Sequence, residues 1–393
     1  MAKFTDHVAH ENAVFIYSPS QLTYKFSDEH PFNQKRLELT MDLLTQIGAL
    51  NAQQIVPPRT TTDEELLLAL DADYIDIVKR AGHGYVTNAE GEPYGIGTED
   101  TPIFPNMHEA SASIVAATLT ACDYVMQGKA QHAVNLGGGL HHGFKNKASG
   151  FCIYNDSSIA IRYMQKKYGA RVLYVDTDAH HGDGVQFSFY DDPDTCTFSI
   201  HETGRYLFPG TGSITERGTG EAYGTSFNIP IDAFTEDDSF LYCYKEAMEE
   251  IVADFRPDII LTQNGADAHH FDPLTHLSCT MKIYQEIPSI AHDLAHKYCN
   301  GRWVAVGGGG YDIWRVVPRA WSYVWTEMSD FEQPHGPLPE KWLTRWQAES
   351  PVTLIPTWDD PSPLFEAIPR RAEITEKNAQ TLEKALYTLR HKI

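Results

Sequence analysis

The sequence predicts an α/β protein built around a single parallel β-sheet, and three observations support this fold class. Short apolar runs alternate along the chain with longer stretches of helical periodicity, which is the pattern of repeated βαβ units. The apolar runs are uninterrupted, as expected for strands that helices cover on both faces. No repeat of about 20 to 50 residues is visible, which argues against a solenoid or a propeller.

Four short apolar runs are the strand candidates, and one alanine-rich segment is the clearest helix. The candidate strands are residues 133–135, 172–175, 259–261 and 304–306. The helix is predicted over residues 110–127, with Gly128 as its stop signal.

The last part of the chain differs in composition. Residues 350–363 are rich in Pro, Asp, Ser and Thr and predict an irregular connector. Beyond it, an apolar stripe at helical spacing predicts a final helix that docks on the main body. The residues of this stripe are Ile374, Leu382, Leu386 and Leu389.

Length and composition favour a soluble enzyme. The 393 residues can bury a large core, in one large domain or two ordinary ones, and 42% of them are apolar. No apolar run is long enough for a transmembrane helix, and residues 1–7 lack the apolar core of a signal peptide. The six cysteines include no Cys-x-x-Cys pair and are expected to be reduced, buried thiols. We therefore expect a cytoplasmic protein.

The formal net charge of −22 bears on the partners of the protein. Nucleic-acid binding requires clustered basic residues and is therefore disfavoured. An acidic surface would attract lysine-rich substrates by long-range steering. The same charge is equally explained as a means of keeping the protein soluble.

Each of the four predicted strands is followed by an unusual polar or glycine-rich loop. Because the carboxyl ends of parallel strands meet at one edge of a sheet, these loops are expected to form an active site. In chain order they read NLGGGLHHG (135–143), DTDAHHGDG (176–184), QNGADAHHFDP (263–273) and VGGGGYD (306–312).

The second and third loops carry candidate metal ligands. Asp178 and His180 alternate across one residue, so both can face the same point, and Asp267 would arrive from the neighbouring loop. Two carboxylates and one imidazole, with coordination positions left open, suit a catalytic zinc ion or another divalent metal. Either loop alone could equally hold a hydrogen-bonded pair at a strand end.

The first loop provides His141 and His142, which are candidates for general acid and base chemistry near neutral pH. Two surface histidines would be the simpler interpretation. Asp176 and Asp183 flank the metal-ligand candidates, and each could fix the tautomer of a histidine. Asp183 could instead cap the helix that follows it.

The fourth loop places Tyr311 directly after four glycines. A phosphate-binding loop is disfavoured because no Lys-Ser or Lys-Thr follows them. The tyrosine hydroxyl could donate a hydrogen bond to a developing oxyanion, or the ring could simply pack.

The four loops, in this order, resemble the motifs of the histone deacetylase superfamily. The segments GFCIYND (150–156) and FPGTG (208–212) resemble further motifs of that family. The resemblance covers residues 14–330. The segments YSPSQLTYKFSDEHPFNQKRL (17–37) and GTEDTPIFP (97–105) and the C-terminal extension are most similar to the bacterial acetoin-utilisation deacetylases. The resemblance implies the arginase/deacetylase fold, with a parallel sheet of about eight strands. It also implies a metal-dependent deacetylase domain over residues 1–335 and a C-terminal extension over residues 336–393.

The resemblance implies a role for each candidate residue. Asp178, His180 and Asp267 would bind one divalent metal, zinc or iron. His142 would be the general base and then the general acid, oriented by Asp183. His141, paired with Asp176, would be an electrostatic partner, and Tyr311 would polarise the acetyl carbonyl.

The resemblance also implies residues around this centre. Phe151 and Phe208 would wall a narrow tunnel for the lysine stem, next to Gly150, and Asp100 would hold the substrate backbone at the rim. Arg36 would lie near the channel through which acetate leaves. A structural potassium ion would lie near Asp176, Asp178, His180, Ser199 and Ile200. The implied substrates are acetylated proteins or peptides, such as acetyl-CoA synthetase in acetate and acetoin metabolism.

Three other functions compete with this interpretation. A two-metal ureohydrolase would need further carboxylates where the chain has Gly182 and His269. An acetylpolyamine hydrolase would use the same chemistry behind a different rim. A non-catalytic acetyl-lysine binding module is disfavoured because metal ligands, both histidines and Tyr311 are all present.

Overall fold

The computed structural model describes residues 12–361 and 365–391. Residues 1–7, which were predicted not to form a signal peptide, lie outside these ranges, as do residues 362 and 363 of the predicted connector. The strands are β1 (Ala13–Ile16), β2 (Ile55–Val56), β3 (His132–Asn135), β4 (Val172–Asp176), β5 (Thr195–Glu202), β6 (Ser226–Ile231), β7 (Ile259–Gln263) and β8 (Trp303–Val306).

The α-helices fall before, between and after these strands. They are α1 (Lys35–Gln46), α2 (Asp63–Leu66), α3 (Ala72–Gly82), α4 (Asn88–Gly91), α5 (Met107–Met126), α6 (Asp156–Tyr168), α7 (Asp183–Ser188), α8 (Asp237–Phe255), α9 (Met281–Cys299), α10 (Val317–Met328), α11 (Glu340–Gln347), α12 (Arg371–Ala385) and α13 (Tyr387–Arg390). Short 3₁₀ helices cover Pro19–Thr23, Glu92–Tyr94 and Gly220–Ala222.

The strands form one eight-stranded sheet in the order β2-β1-β3-β8-β7-β4-β5-β6. Every pair of neighbouring strands is parallel. Two apolar clusters pack on the sheet, one including residues of α3, α5 and α6 and the other residues of α1, α8, α9 and α10. A parallel sheet covered by helices is the predicted fold class, and the prediction is confirmed.

The individual elements match the sequence patterns closely. All four predicted strands form, each extended by one or two residues, as β3, β4, β7 and β8. The alanine-rich helix, α5, begins at Met107 rather than at Ala110 and ends one residue before the predicted boundary. Gly128 adopts a positive φ of 68°, which ends the helix as its type predicts.

The C-terminal helix packs on the main body against α8 and β6. Its apolar stripe is divided, because α12 ends at Ala385 and a short separate helix, α13, contains Leu389. Asn378 fixes the contact: its side chain donates to Thr235 and Ser239 and accepts from the backbone N–H of Asp232.

Two further expectations concern the state of the cysteines and the presence of membrane-spanning helices. All six cysteines are buried free thiols. No helix in the described part of the chain combines the length and the apolar character that a bilayer span requires.

Candidate active site

The four predicted loops emerge from four adjacent strands. Strands β3, β8, β7 and β4 are neighbours in the sheet, so the loops lie side by side at its carboxyl edge. Their order in space differs from their order in the sequence, because the chain returns to the middle of the sheet for β7 and β8. The first loop lies beside the fourth, and the second beside the third.

Asp178, His180 and Asp267 form one buried cluster whose ligand atoms lie within 4.8 Å of one another. The Nδ1 atom of His180 is 3.2 Å from Oδ1 of Asp178 and 3.0 Å from Oδ2 of Asp267. Asp178 and His180 therefore do not form an isolated pair, because Asp267 from the neighbouring strand end completes a three-residue donor set.

The electrostatics of this cluster favour a cation. Burial alone would lower the pKa of His180, but Asp178 and Asp267 outweigh it and raise that pKa well above its usual range. Burial, followed by the charge of Asp178, raises the pKa of Asp267. The two carboxylates thus attract positive charge between them, and the donor set of two oxygens and one nitrogen fits a divalent transition metal.

Backbone and amide groups hold the two carboxylates in place. The N–H of Gly309 donates to Oδ2 of Asp178 (2.7 Å), and the N–H of Ala179 donates to Oδ1 of Asp267 (2.8 Å). A Cβ on Gly309 would overlap Oδ2 of Asp267, so the glycine-rich loop is needed for this close approach. Gln263 donates to Asp178 (2.8 Å) and was not predicted; its position as the last residue of β7 was the available signal.

His141 is paired with Asp176. Its Nδ1 atom lies 2.8 Å from Oδ2 of Asp176, which also accepts from the hydroxyl of Tyr174. Its Nε2 atom lies 3.9 Å from Oδ2 of Asp178. Burial alone would lower the pKa of His141, but the charges of Asp176 and Asp178 raise it to about 9. This imidazole is therefore held as a cation.

His142 is paired with Asp183 through its Nδ1 atom, 2.7 Å from Oδ1 of the carboxylate. Burial and the neighbouring charge of His141 lower the pKa of His142 to about 4. Asp183 is the first residue of α7, whose N-cap is Gly182, and its Oδ1 also accepts from the N–H of Gly184. Of the two alternatives for Asp183, the pairing with a histidine forms, whereas the role of helix cap is wrong because Gly182 occupies the N-cap position.

Asp156 anchors the histidine loop and was not singled out from the sequence. This buried carboxylate accepts from the N–H groups of Gly139 (3.0 Å) and Leu140 (2.9 Å) and from the hydroxyl of Thr118 (2.6 Å). It lies in the segment 150–156, which was noted as a motif without a role for its last residue.

Tyr311 lies across the site from the histidine pair. The centroid of its ring is 6.4 Å from that of His180 and 5.8 Å from that of Phe151. Its backbone N–H donates to Oδ2 of Asp272, a second buried carboxylate, which lies in the third predicted loop but was given no role there. Burial, followed by the charges of Asp267 and Asp178, raises the pKa of Tyr311, so the hydroxyl keeps its proton for donation.

Two phenylalanines line the approach to the histidines. The ring of Phe208 is 45% exposed and lies 5.0 Å from that of His142. Phe151 adopts a φ of +67°, which is rare for a bulky residue and often marks a functional position. A Cβ on Gly150 would contact both His142 and Phe208, so this position has room only for glycine.

The exposed rim and the interior contain the remaining predicted residues. Asp100 is exposed, and its carbonyl lies 3.2 Å from Nε2 of His30, whose ring packs on Phe151. Arg36 is fully buried; its Nη1 donates to the carbonyl of Gly310, while its Nε and Nη2 have no partner within the described ranges. Burial lowers the pKa of Arg36 to about 10.

The residues implied in a potassium site come from neighbouring strands. Asp176 of β4 is paired in register with Ser199 of β5, and Ile200 follows in the same strand. The hydroxyl of Ser199 lies 2.8 Å from Nδ1 of His201.

The positions that would distinguish a two-metal ureohydrolase carry no carboxylate at the site. Gly182 has no side chain that could bind a metal. The Nε2 atom of His269 lies 2.9 Å from Oδ2 of Asp360, so this imidazole is paired with the connector. Across the described residues, the group Asp178, His180 and Asp267 is the only candidate metal cluster at this edge of the sheet.

Known proteins are similar to this chain over most of its length. The histone deacetylase domain matches residues 30–328. The acetoin utilization protein AcuC of Bacillus subtilis is 63% identical over 379 residues, covering 96% of this chain and 98% of the relative. The AcuC protein of Staphylococcus xylosus is 48% identical over 372 residues, covering 95% and 97%.

Two solved structures have the same fold. A crystal structure of an HDAC homologue complexed with SAHA has a TM-score of 0.84 and 29% identity, covering 95% of this chain and 99% of its own. An HDAC homologue from Aquifex aeolicus has a TM-score of 0.82 and 27% identity, covering 93% and 99%. The predicted arginase/deacetylase fold and deacetylase-type hydrolase are thereby confirmed, and the chain belongs to the histone deacetylase family.

Proposed function

We propose that this protein is a lysine deacetylase, which hydrolyses the acetyl amide of acetyl-lysine side chains in proteins or peptides. One observation carries the proposal: a buried metal-ligand set, two carboxylate-paired histidines with opposite pKa shifts and a tyrosine surround one point at the sheet edge. We assign catalysis to residues 1–335 and treat residues 336–393 as a docked extension.

The chain supplies each part of an amide hydrolysis. A divalent metal held by Asp178, His180 and Asp267 would polarise the acetyl carbonyl and make a water molecule more acidic. Nδ1 of His142 is engaged by Asp183, so Nε2 is free to take the proton of the attacking water. The same nitrogen then protonates the lysine nitrogen as the carbon–nitrogen bond breaks. Protonated His141 and the hydroxyl of Tyr311 stabilise the negative charge that develops on the carbonyl oxygen.

The products are acetate and a free lysine amine. Arg36, whose Nε and Nη2 have no hydrogen-bond partner among the described residues, suits a departing carboxylate, which an arginine can bind with two parallel hydrogen bonds. Phe151 and Phe208 would flank the lysine stem, next to Gly150, and Asp100 would accept from the substrate backbone at the rim.

Two ions belong to the proposal. Zinc is the preferred catalytic metal because its ligands are nitrogen and oxygen atoms in a partly open set, and iron(II) is the alternative. A structural potassium ion near Asp176, Asp178, His180, Ser199 and Ile200 is supported by the register of β4 and β5.

The substrate proposal rests on the relatives. Since they are named for acetoin utilization, we propose cytoplasmic substrates among acetylated proteins of acetoin and acetate metabolism, such as acetyl-CoA synthetase. Comparing acetyl-lysine sites across the proteome, with the active enzyme and with the His142→Ala variant, would identify the substrates.

The proposal is tested by measuring acetate release from an acetyl-lysine peptide and from an acetylpolyamine, and urea release from arginine. We expect turnover of the peptide, its loss on chelation and no urea from arginine. Asp267→Asn should bind the catalytic metal more weakly and lose activity with it. Faster turnover of the acetylpolyamine would replace a protein substrate with a polyamine. Peptide binding without acetate release by the metal-loaded enzyme would favour a binding module.

A further inference from the structure

Three histidines converge at the opposite edge of the sheet from the active site. His132 is the first residue of β3, whose other end leads into the loop with His141 and His142. His292 and His296 lie one turn apart on α9, and their ligand atoms lie within 4.8 Å of one another and of His132. The amide-hydrolysing machinery uses none of these three residues.

The distances between their nitrogens match a metal coordination sphere. The Nε2 atom of His296 lies 3.3 Å from Nε2 of His132 and 3.0 Å from Nε2 of His292. In a tetrahedral zinc site, nitrogens about 2.0–2.1 Å from the ion are about 3.3–3.4 Å apart. Both separations from His296 are thus close to those that one shared ion would impose, and the ligand atoms of His132 and His292 lie within 4.8 Å of each other.

Neighbouring side chains hold the imidazole rings of His292 and His132 in place. Nδ1 of His292 lies 2.8 Å from Oε1 of Glu327 on α10, as in metal sites where a carboxylate orients a histidine ligand. His132 is 1% exposed, and its ring lies edge-on to Trp303, which also stacks on His292. Two imidazoles are therefore positioned before any ion binds.

Hydrogen bonding alone satisfies this arrangement poorly. His292 donates its Nδ1 proton to Glu327, so its Nε2 presents a lone pair. A single proton on Nε2 of His296 can serve only one of its two neighbours. Protonating the other rings would bring like charges together at about 3 Å, which is costly at a partly buried position. A cation shared by three lone pairs removes this conflict.

We propose that His132, His292 and His296 form a second metal site, separate from the catalytic centre, for a borderline divalent transition metal such as zinc. Neutral imidazoles suit such ions, whereas calcium and magnesium prefer oxygen ligands. His296 is exposed, so solvent can provide the fourth ligand. The bound ion links α9 to the first residue of a central strand.

The test is the metal content of the purified chain after equilibration with buffered zinc. His296→Ala should contain one metal ion fewer per chain than the parent protein, and it should still release acetate from an acetyl-lysine peptide. The matched control is His335→Ala, which removes an exposed histidine from another loop and should lose none. Equal metal content in the parent and His296→Ala would overturn the proposal.

Two further measurements do not depend on that variant. Glu327→Gln should weaken zinc binding at this site about 10- to 100-fold, the usual effect of removing a carboxylate behind a histidine ligand. Crystals grown with zinc should show an anomalous peak between the three Nε2 atoms. Unchanged affinity in Glu327→Gln, or no peak there, would contradict a metal site. Because this site lies apart from the catalytic residues, loss of deacetylase activity would not affect the result.

Discussion

The two adjacent histidines show how neighbouring residues of one type acquire opposite roles. His141 and His142 each pair with a carboxylate, yet the pKa of the first is raised to about 9 and that of the second is lowered to about 4. His141 lies near two carboxylates, Asp176 and Asp178, whereas the buried ring of His142 lies only 4.0 Å from the charged ring of His141. The first is suited to hold a positive charge and the second to accept a proton.

This division predicts the effect of replacing His142 by alanine. The variant should lose deacetylation almost completely, because no other group accepts the proton of the attacking water. Its metal content should be unchanged, because His142 is no ligand in the proposed set. Kinetics on an acetyl-lysine peptide and elemental analysis measure both properties. Near-normal turnover would remove His142 from the mechanism, and loss of the metal would make it a ligand.

If the hydroxyl of Tyr311 stabilises the developing oxyanion, removing it should slow only the chemical step. Tyr311→Phe keeps the ring against Phe151 but removes the donor to the developing oxyanion. Turnover should fall about 100- to 1000-fold, the usual effect of one oxyanion-hole donor. The loss should appear mainly in kcat, since the hydrogen bond strengthens as charge develops. A trifluoroacetyl-lysine substrate, whose carbonyl is already activated, should lose less. Retention of most of kcat would leave Tyr311 with a packing role only.

At the scale of elements, local patterns predicted four of the eight strands but not the order of the strands in the sheet. The runs that became β3, β4, β7 and β8 are apolar and short, and each ends at a distinctive loop. The order of the strands in the sheet depends on the side of the existing strands on which each new strand is added after its connecting helix. No local sequence pattern determines that side. The number of strands came from the family resemblance, because the two-residue strand β2 has no detectable periodicity.

The candidate site was predictable to the extent that its residues occur in motifs. Asp178 and His180 share a strand end, and Asp267 lies at an equivalent position, so strand geometry brings them together. Asp156 and Asp272 also lie in quoted segments, but their roles were missed because each depends on backbone N–H groups of another loop. His292 and His296 show ligand spacing on a helix, but the third member, His132, is provided only by the fold.

One carboxylate of the C-terminal connector, Asp360, has a buried side chain and accepts several hydrogen bonds from the catalytic body. Oδ2 of Asp360 accepts from the first N–H of α9, at Met281, and from Nε2 of His269, while Oδ1 accepts from Arg319 of α10. Nδ1 of His269 accepts from the N–H of Phe271, which places the proton on Nε2. Asp360 thus joins two helices to the loop that follows the proposed metal ligand Asp267.

This contact predicts a pH-dependent contribution to stability. Burial alone would raise the pKa of Asp360, but His269 and Arg319 outweigh it and hold the pKa well below its usual range. Asp360 therefore stabilises the fold fully above about pH 4, the ordinary aspartate pKa, and this contribution is lost as the pH falls toward the lower folded value. Asp360→Asn should lower the free energy of unfolding by about 1–3 kcal/mol at neutral pH.

Urea denaturation at several pH values measures this contribution. The difference between the parent protein and Asp360→Asn should shrink as the pH drops below about 4, because the parent carboxylate then becomes protonated too. Asp359→Asn is the matched control, since Asp359 is exposed and should change stability little. A difference independent of pH would show that shape, rather than the charge of Asp360, stabilises the connector.

At the scale of the whole molecule, the charge of −22 permits either substrate steering or simple solubility. The rim favours steering, because Glu99 and Asp100 are both exposed where the substrate would enter. Long-range attraction changes the rate of encounter more than the chemical step, and salt screens it over about 10 Å at 0.1 M. Ionic strength can therefore separate the two explanations without any mutation.

We predict that kcat/KM for an acetyl-lysine peptide flanked by lysines falls several-fold between low and moderate salt, while kcat stays constant. A peptide flanked by neutral residues provides the control and should respond weakly, because it carries no charge for the field to attract. A peptide flanked by glutamates should respond in the opposite direction, since salt then screens a repulsion. Asp100→Asn should reduce the salt dependence for the basic peptide if the charge at the rim contributes. Identical salt profiles for all three peptides would assign the acidic surface to solubility alone.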